Sequence, residues 1–305
     1  MVPLNTKATS STRFSATVIT SVFLMGSSFP VSRVLLDAGT QPLPLVALRF
    51  FSAACIATLI AYVFMNKRTQ PAETRQVQMG AVVVGILQTG CVMSLIFIAI
   101  QTVDPAVVAA ILFSNVLVVA AVDAIAGRRH WTPTLIASLA LGVSGLTLVT
   151  GTVHMILATT NAGTSYFGEW LSVGAACCWS SATLISKHFK PVNTWRFNNI
   201  QMFSGAAIVA ITAWLQGDGL WLPTDTASWA WFLWLTIPAS IVSFGLWFSA
   251  LHQRSASETS AWLFLVPVFA ALISWPINGI MPTITQTFGA ALIGLALFLQ
   301  GQTHK

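Results

Sequence analysis

The chain has 305 residues, of which 55% are hydrophobic and only 7% are charged. A soluble domain carries charge on roughly 25% of its residues, so this composition cannot cover a water-exposed surface. The formal net charge of +6 does not indicate nucleic-acid binding, because the basic residues lie in turns that flank apolar runs. The composition therefore excludes a soluble protein and indicates one that crosses a membrane several times.

Ten apolar runs follow one another along the sequence, and each approaches or exceeds the length of about 20 residues that a helix needs to cross a bilayer. Because lipid offers the backbone no hydrogen-bond partners, each run is predicted to be a helix. The first run is too long for a signal peptide and lacks an Ala-x-Ala cleavage site, so we expect it to be retained. The predicted spans are residues 14–36, 43–65, 77–100, 105–126, 134–151, 168–188, 197–215, 229–251, 257–276 and 283–300.

Basic residues are distributed unevenly between alternate loops. With the amino terminus in the cytoplasm, all of the fourteen lysines and arginines except Arg33 and Arg49 fall on the cytoplasmic side. This bias is typical of cytoplasmic loops, so we predict a multi-pass protein of the inner (plasma) membrane with both termini cytoplasmic. Arg33 and Arg49 either attract an anionic group at the outer mouth or reach the interface and pair with Asp37.

The two halves of the sequence repeat each other. Five spans per repeat is an odd number, so the second copy must enter the membrane inverted. We predict an all-α polytopic membrane protein with a first five-helix repeat at residues 1–151, a connecting loop at 152–167 and a second, inverted repeat at 168–305. The matching segments are Leu112-Phe113 with Leu263-Phe264, Ala120-Ala121 with Ala270-Ala271, and Phe51-Ser52-Ala53-Ala54 with Phe203-Ser204-Gly205-Ala206.

Several sequence motifs follow one another in a fixed order along nearly the whole chain. They are Gly26-Ser-Ser-Phe-Pro30 followed by Arg33, Leu48-Arg49-Phe50, Ala250-Leu251 through Ser255-Ala256-Ser257, Leu265-Val-Pro267-Val-Phe-Ala-Ala271, and the Gly289 to Gly294 run. Together these motifs resemble the EamA family of the drug/metabolite transporter (DMT) superfamily. The resemblance implies ten helices, an inverted repeat and alternating-access export or uptake of small metabolites. Span 4 departs from the family pattern, because Ser114-Asn115-Val116 stands where the family has a proline.

Polar and aromatic residues inside the spans are the candidates for substrate contact, because placing a polar group in lipid is costly. Gln88 and Asn115 can each donate and accept hydrogen bonds, and a helix–helix hydrogen bond is the alternative role for both. A proline next to two serines in span 1 frees a backbone carbonyl for a cavity or marks a hinge. Two tryptophans within spans 6 and 9 are either walls of a cavity or core packing. The predicted substrate-binding residues are Ser27, Ser28, Gln88, Asn115, Trp179 and Trp262.

An intramembrane enzyme and a channel are the rival classes. Gly142-Val-Ser-Gly145 is similar to the Gly-x-Ser-Gly of rhomboid-like proteases, but a serine nucleophile needs a histidine base, and all five histidines fall in turns or tails. A channel would show rings of charge, which the sequence lacks. We therefore predict a secondary carrier and not an enzyme, with no metal or cofactor.

The resemblance points to amino acids or related metabolites and to export, and a multidrug or cationic-compound exporter of the same fold is the alternative. Its expected partners are a small-molecule substrate and the lipid bilayer. No carboxylate lies at a span centre, which favours facilitated diffusion or exchange over proton coupling. The sequence leaves the choice between monomer and homodimer open.

Overall fold

The structure is a computed structural model, and it describes residues 5–64, 73–100, 102, 105–127, 130–151, 166–219 and 221–302. Within these ranges every regular element is helical, and joining directly continuous segments gives ten helices. Their agreement with the ten predicted spans confirms the fold class, although the first helix begins nine residues earlier than expected. The helices are α1 Asn5–Asp37, α2 Pro42–Phe64, α3 Arg75–Ala99, α4 Pro105–Ile125, α5 Pro133–Thr150, α6 Phe167–His188, α7 Thr194–Leu215, α8 Thr226–Leu251, α9 Ala256–Asn278 and α10 Ile284–Gln302.

Four of these helices change their winding partway. α3 and α8 each contain one π-helical turn, Ile86–Cys91 and Ile237–Val242. The two turns are the same number of residues apart along the chain as the repeated pairs Leu112-Phe113 and Leu263-Phe264. Pro238 at the start of the second turn has no N–H to donate, which favours a local break in the α-helical ladder. α4 is interrupted at Ser114, and α9 contains the 3₁₀ turn Trp262–Phe264.

Seven of the ten helices, α1–α5, α8 and α9, are both long and apolar enough to cross a membrane. α10 contributes a shorter apolar stretch, Ile284–Leu299. α6 and α7 have 22 residues each but contain more polar side chains, several of which are buried, such as Thr183, Ser186, Asn198 and Gln201. Many of their polar side chains therefore face the protein interior and not the lipid, as expected for inner helices of a membrane bundle.

Helices of one half pack mainly on helices of the other half. α1 contacts α8 and α9, and α6 contacts α3 and α4 in the same way, while α2 pairs with α7 and α5 pairs with α10. If each helix is replaced by its counterpart in the other half, the same set of helix contacts results, as expected for an inverted repeat. Residues 152–165 of the predicted connecting loop lie outside the described residues.

Small residues allow the α5–α10 crossing to be tight. A Cβ on Gly145 would lie 2.6 Å from the carbonyl oxygen of Gly289, and one on Gly289 would lie 2.7 Å from the carbonyl oxygen of Gly145. Gly142 faces the ring of Phe264, while Ser144 between the two α5 glycines is exposed. The Gly-x-Ser-Gly segment is thus a helix-packing surface.

Candidate functional site

Three inner helices carry buried polar side chains that have no hydrogen-bond partner among the described residues. In Gln88 of α3 and Asn115 of α4 the nitrogen and the oxygen of the side-chain amide are both unpaired. In α6 the indole nitrogen of Trp179 and the hydroxyl of Thr183 are unpaired as well. We call these four residues the central polar layer. An unpaired buried polar group costs about 1–3 kcal/mol, so four in one region call for a functional explanation.

Asn115 and Trp179 lie next to each other across the α4–α6 contact. The hydroxyl of Ser180 donates to the backbone carbonyl of Asn115 at 3.2 Å, and Ser180 directly follows Trp179. Phe113, two residues before Asn115, has its ring centroid 6.1 Å from that of Trp179. The interruption of α4 at Ser114 therefore places Phe113 and Asn115 against the same segment of α6.

Two contacts fix the depth of Gln88. A Cβ on Gly80 would clash with the ring of Phe189, and a Cβ on Gly174 would lie 3.6 Å from Leu95. Both contacts fit a single antiparallel register of α3 and α6. That register places Gln88 level with Ser181, between the two α6 residues of the central polar layer.

A row of aromatic rings extends this layer to α1. The centroid of Phe29 lies 6.3 Å from that of Phe113, and Phe113 in turn contacts Trp179. Tilted ring pairs at this spacing are favourable. Ser28, which precedes Phe29, is half-buried and donates to the carbonyl of Met25 at 2.6 Å, so α1 reaches the layer mainly through an aromatic surface.

Two of the predicted binding residues lie elsewhere. Ser27 donates to the carbonyl of Leu24 at 2.8 Å and accepts from Trp234 Nε1 at 3.0 Å, so it joins α1 to α8. Trp262 contacts Phe14 with a centroid distance of 6.4 Å. Phe14 is 15 residues from Phe29 in α1, a separation of about 22 Å along a helix. Of the six predicted residues, Asn115 and Trp179 lie together at the α4–α6 contact and Gln88 lies at the same depth in α3, while Ser28 is linked to them only through its neighbour Phe29.

Sequence reasoning missed a polar stripe on α6. Trp179, Thr183 and Ser186 have the spacing i, i+4 and i+7, which puts them on one face of the helix, and Ser186 Oγ also has no partner among the described residues. That spacing was the signal available in the sequence. The stripe leads from the central polar layer toward a cavity of about 310 Å³ at one end of the bundle, lined by Asp123, Leu184, Lys187, His188, Ser255 and Ala256.

Hydrogen bonds link the helices at this end of the bundle, which we call the Lys187 end. Lys187 Nζ donates to the carbonyl of Leu251 at 2.7 Å and also to the carbonyl of Arg254. Asp123, 2% exposed, accepts the backbone N–H of Ser257 at 3.0 Å. α6 is thereby tied to the end of α8, and α4 is tied to the start of α9.

The basic residues of the opposite end behave differently from one another. Arg33 pairs with Asp37 at 2.8 Å within α1, and both side chains are exposed, as expected from the sequence. Arg49 does not reach the interface, contrary to expectation. It is buried against α8, where it donates to Ser240 Oγ at 2.7 Å and to the carbonyls of Leu235 at 3.1 Å and Ala239 at 2.9 Å.

The sequence model of the EamA-like transporter family matches this chain twice, at residues 14–151 and 166–301. The chain belongs to the EamA-like transporter family. Two matches, one in each half, agree with the equivalent helix contacts that the two halves make. An EamA-like protein is a multi-pass membrane transporter, and its partners are a small-molecule substrate and the lipid bilayer.

Known proteins resemble this EamA-like transporter along most of its length. An uncharacterized transporter, YoaV, of Bacillus subtilis (strain 168) is 23% identical over 270 residues, which cover 87% of this chain and 88% of YoaV. A solved crystal structure superposes with a TM-score of 0.72 at 17% identity, covering 93% of this chain and 96% of that one. The second likeness supports the ten-helix fold alone.

Proposed function

We propose that this protein is a secondary carrier that exports small uncharged or zwitterionic organic metabolites, amino acids or related compounds, by alternating access. The observation that carries the proposal is the central polar layer, in which amide, indole and hydroxyl groups have no partner within the described part of the chain and lie beside an aromatic row. Such a site offers hydrogen bonds to a polar group and an apolar wall to a side chain.

The charge of the layer argues for the substrate class. Its four members are uncharged. Along α4 the nearest charged residue, Asp123, is eight residues from Asn115, or about 12 Å along a helix, and along α6 Lys187 is four residues from Thr183, or about 6 Å. Burying an isolated charge without a counter-charge is strongly unfavourable. A neutral or internally compensated solute therefore suits the layer better than a free anion.

The distribution of basic residues supports the proposed orientation. If the Lys187 end faces the cytoplasm, the basic residues flanking α6, α7 and the α8–α9 turn lie on the side that the positive-inside bias favours. The conformer described here is then closed toward the cytoplasm by the bonds of Lys187 and Asp123. Transport requires these bonds to break once in each cycle, which is the alternating step of the carrier.

Exchange in liposomes tests the proposal. Purified protein is reconstituted and assayed with a panel of radiolabelled L-amino acids, with and without unlabelled amino acid on the opposite side. We expect trans-stimulated exchange of at least one amino acid, and a raised KM with exchange still measurable in Gln88→Ala and in Asn115→Ala. Asn278→Ala is the matched control, because Asn278 is a partly buried amide outside the layer that bonds the carbonyl of Pro30 at 3.5 Å. Flux without trans-stimulation would indicate a channel and contradict the proposal.

The aromatic row favours a second candidate, an exporter of organic cations. Faces of tryptophan and phenylalanine attract cations through cation–π interaction, and the Phe29, Phe113 and Trp179 rings lie in one row. Adding radiolabelled tetraphenylphosphonium to the panel separates the two candidates. Exchange of this cation with no exchange of any amino acid would favour the second candidate.

A further inference from the structure

The two π-helical turns are joined by a continuous chain of buried hydrogen bonds. Thr89 Oγ1, in the turn of α3, donates to Gln201 Oε1 of α7 at 2.9 Å. Gln201 Nε2 donates to Asn198 Oδ1 at 3.0 Å, and Asn198 Nδ2 donates to the carbonyl of Ile241, in the turn of α8, at 3.2 Å. All three side chains are at most 1% exposed.

The π-helical turn of α8 makes a contact equivalent to the Thr89–Gln201 bond. Arg49 of α2 and Gln201 of α7 each lie two residues before the repeated Phe-Ser segment. Gln201 accepts from Thr89 in the π-helical turn of α3, and Arg49 donates to Ser240 in that of α8. A contact that occurs in both repeats, between different residue types, indicates that each π-helical turn needs a side chain from a neighbouring helix.

The physical reason lies in the geometry of a π-helical turn. The turn accommodates one residue more than an α-helical turn does, it is rare, and it is frequent at functional sites. Return to α-helical winding would rotate the side chains of the turn relative to the rest of α3, by about 100° for each residue of shift. Gln88 lies inside this turn and directly precedes Thr89.

We infer that Thr89 and Gln201 are positioning residues of the transport site: their hydrogen bond holds the π-helical turn of α3 and thereby keeps Gln88 in the central polar layer. This inference rests on the proposed function. Neither residue needs to contact substrate, because each is satisfied by its protein partners. Asn198 extends the support to the turn of α8.

The same two helices offer a matched control. Ser94 Oγ of α3 donates to Thr212 Oγ1 of α7 at 3.0 Å, which is nearly the same length as the Thr89–Gln201 bond. Ser94 lies beyond the π-helical turn, in the segment Val92–Ala99. Losing the Ser94 bond therefore weakens the α3–α7 contact without releasing the turn.

Hydrogen–deuterium exchange of the purified protein tests the structural step without any substrate. We expect the backbone amides of residues 86–92 to exchange faster in Thr89→Val and at the wild-type rate in Ser94→Ala and Thr89→Ser, since serine keeps the hydroxyl. Equal exchange of residues 86–92 in Thr89→Val and Ser94→Ala would overturn the inference. Gln201→Leu gives a second removal of the same bond should Thr89→Val fail to fold, and it is expected to accelerate the same amides.

Exchange kinetics test the positioning step, with the panel amino acid that the wild-type protein exchanges fastest as the probe. Thr89→Val is expected to raise KM about fivefold, the effect of losing one buried hydrogen bond, while Ser94→Ala changes it less than about twofold. The KM of the double variant Gln88→Ala/Thr89→Val is expected to equal that of Gln88→Ala, because Thr89 acts on KM only through the Gln88 side chain. Full additivity would overturn the inference and leave the proposed function intact, whereas normal exchange by Gln88→Ala would contradict the proposed function.

Discussion

Arg49 of α2 donates from Nε to Ser240 Oγ of α8 at 2.7 Å, although Arg49 is only 7% exposed. Its other acceptors are the backbone carbonyls of Leu235 and Ala239. These carbonyls belong to the segment where the π-helical turn of α8 interrupts the regular ladder. Arg49 therefore gives a second donor to carbonyls that already accept from Ser240 Oγ and Ser243 Oγ, and it supplies a donor to Ser240 Oγ itself.

Replacing Arg49 by Met is expected to destabilise the protein by about 1–3 kcal/mol. Ser240 Oγ and the carbonyls of Leu235 and Ala239 each lose one donor, although Ser240 Oγ and Ser243 Oγ still donate to the two carbonyls. The measurement is the apparent melting temperature of the detergent-solubilised protein. Arg33→Met is the control, since Arg33 makes an exposed pair of a kind that contributes about 0–1 kcal/mol. Equal shifts in the two variants would show that the Arg49 contacts do not stabilise α8.

The burial of Arg49 could not be predicted from the sequence, whereas the ten helices could. Long apolar runs and the side-to-side bias of basic residues determine the number of spans. Arg49 lies seven residues inside α2, a depth from which an arginine reaches the interface equally well. Its actual position depends on a π-helical turn in α8, and a hydrophobic pattern does not reveal one extra residue in a turn.

In the candidate site, too, some residues could be predicted from the sequence and others could not. Gln88, Asn115 and Trp179 stand out in the sequence because a polar or indole group inside an apolar run is unusual. Trp262 fits the same criterion yet contacts Phe14 near one end of α1. Distinguishing the two tryptophans requires the register between helices, which is set by packing of residues far apart in the chain.

Replacing Lys187 by Met is expected to open the Lys187 end. Its ammonium donates to carbonyls of Leu251 and Arg254, and charge-assisted bonds of this kind are the strong ones. In a variant whose four native cysteines are replaced, a cysteine at Ser186 reports the opening through its reaction with a membrane-impermeant maleimide in inside-out vesicles. We expect Lys187→Met to speed labelling about tenfold or more, since each 1.4 kcal/mol of lost closing free energy shifts the equilibrium tenfold.

Lys190→Met is the control for this labelling experiment. Lys190 lies just beyond α6 at the same end and is exposed, so its loss changes the local charge equally without removing a bond to α8. Similar acceleration in both variants would mean that surface charge, and not the Lys187 contacts, controls access to Ser186.

The α5–α10 crossing is expected to tolerate no added methyl group at Gly145. A Cβ there would lie 2.6 Å from the Gly289 carbonyl oxygen and 2.7 Å from a side-chain carbon of Ile293, so Gly145→Ala forces two backbones apart and costs about 1–3 kcal/mol. Gly294→Ala meets open space and gains helix propensity. Melting temperatures that fall in both variants, or in neither, would contradict this account of the crossing.

Replacing the unpaired amides of the central polar layer by leucine is expected to stabilise the protein while abolishing exchange. Asn115→Leu removes two buried polar atoms for which the described ranges provide no partner, and each such atom costs about 1–3 kcal/mol. The larger side chain must still fit, so the expected net gain is a few degrees in apparent melting temperature. Asn198→Leu is the matched control in the opposite direction, because Asn198 bonds Ile241 and Gln201, and its loss should lower the melting temperature. If Asn115→Leu lowered the melting temperature as much as Asn198→Leu does, Asn115 would serve stability. A residue kept for function at the expense of stability would not behave in this way.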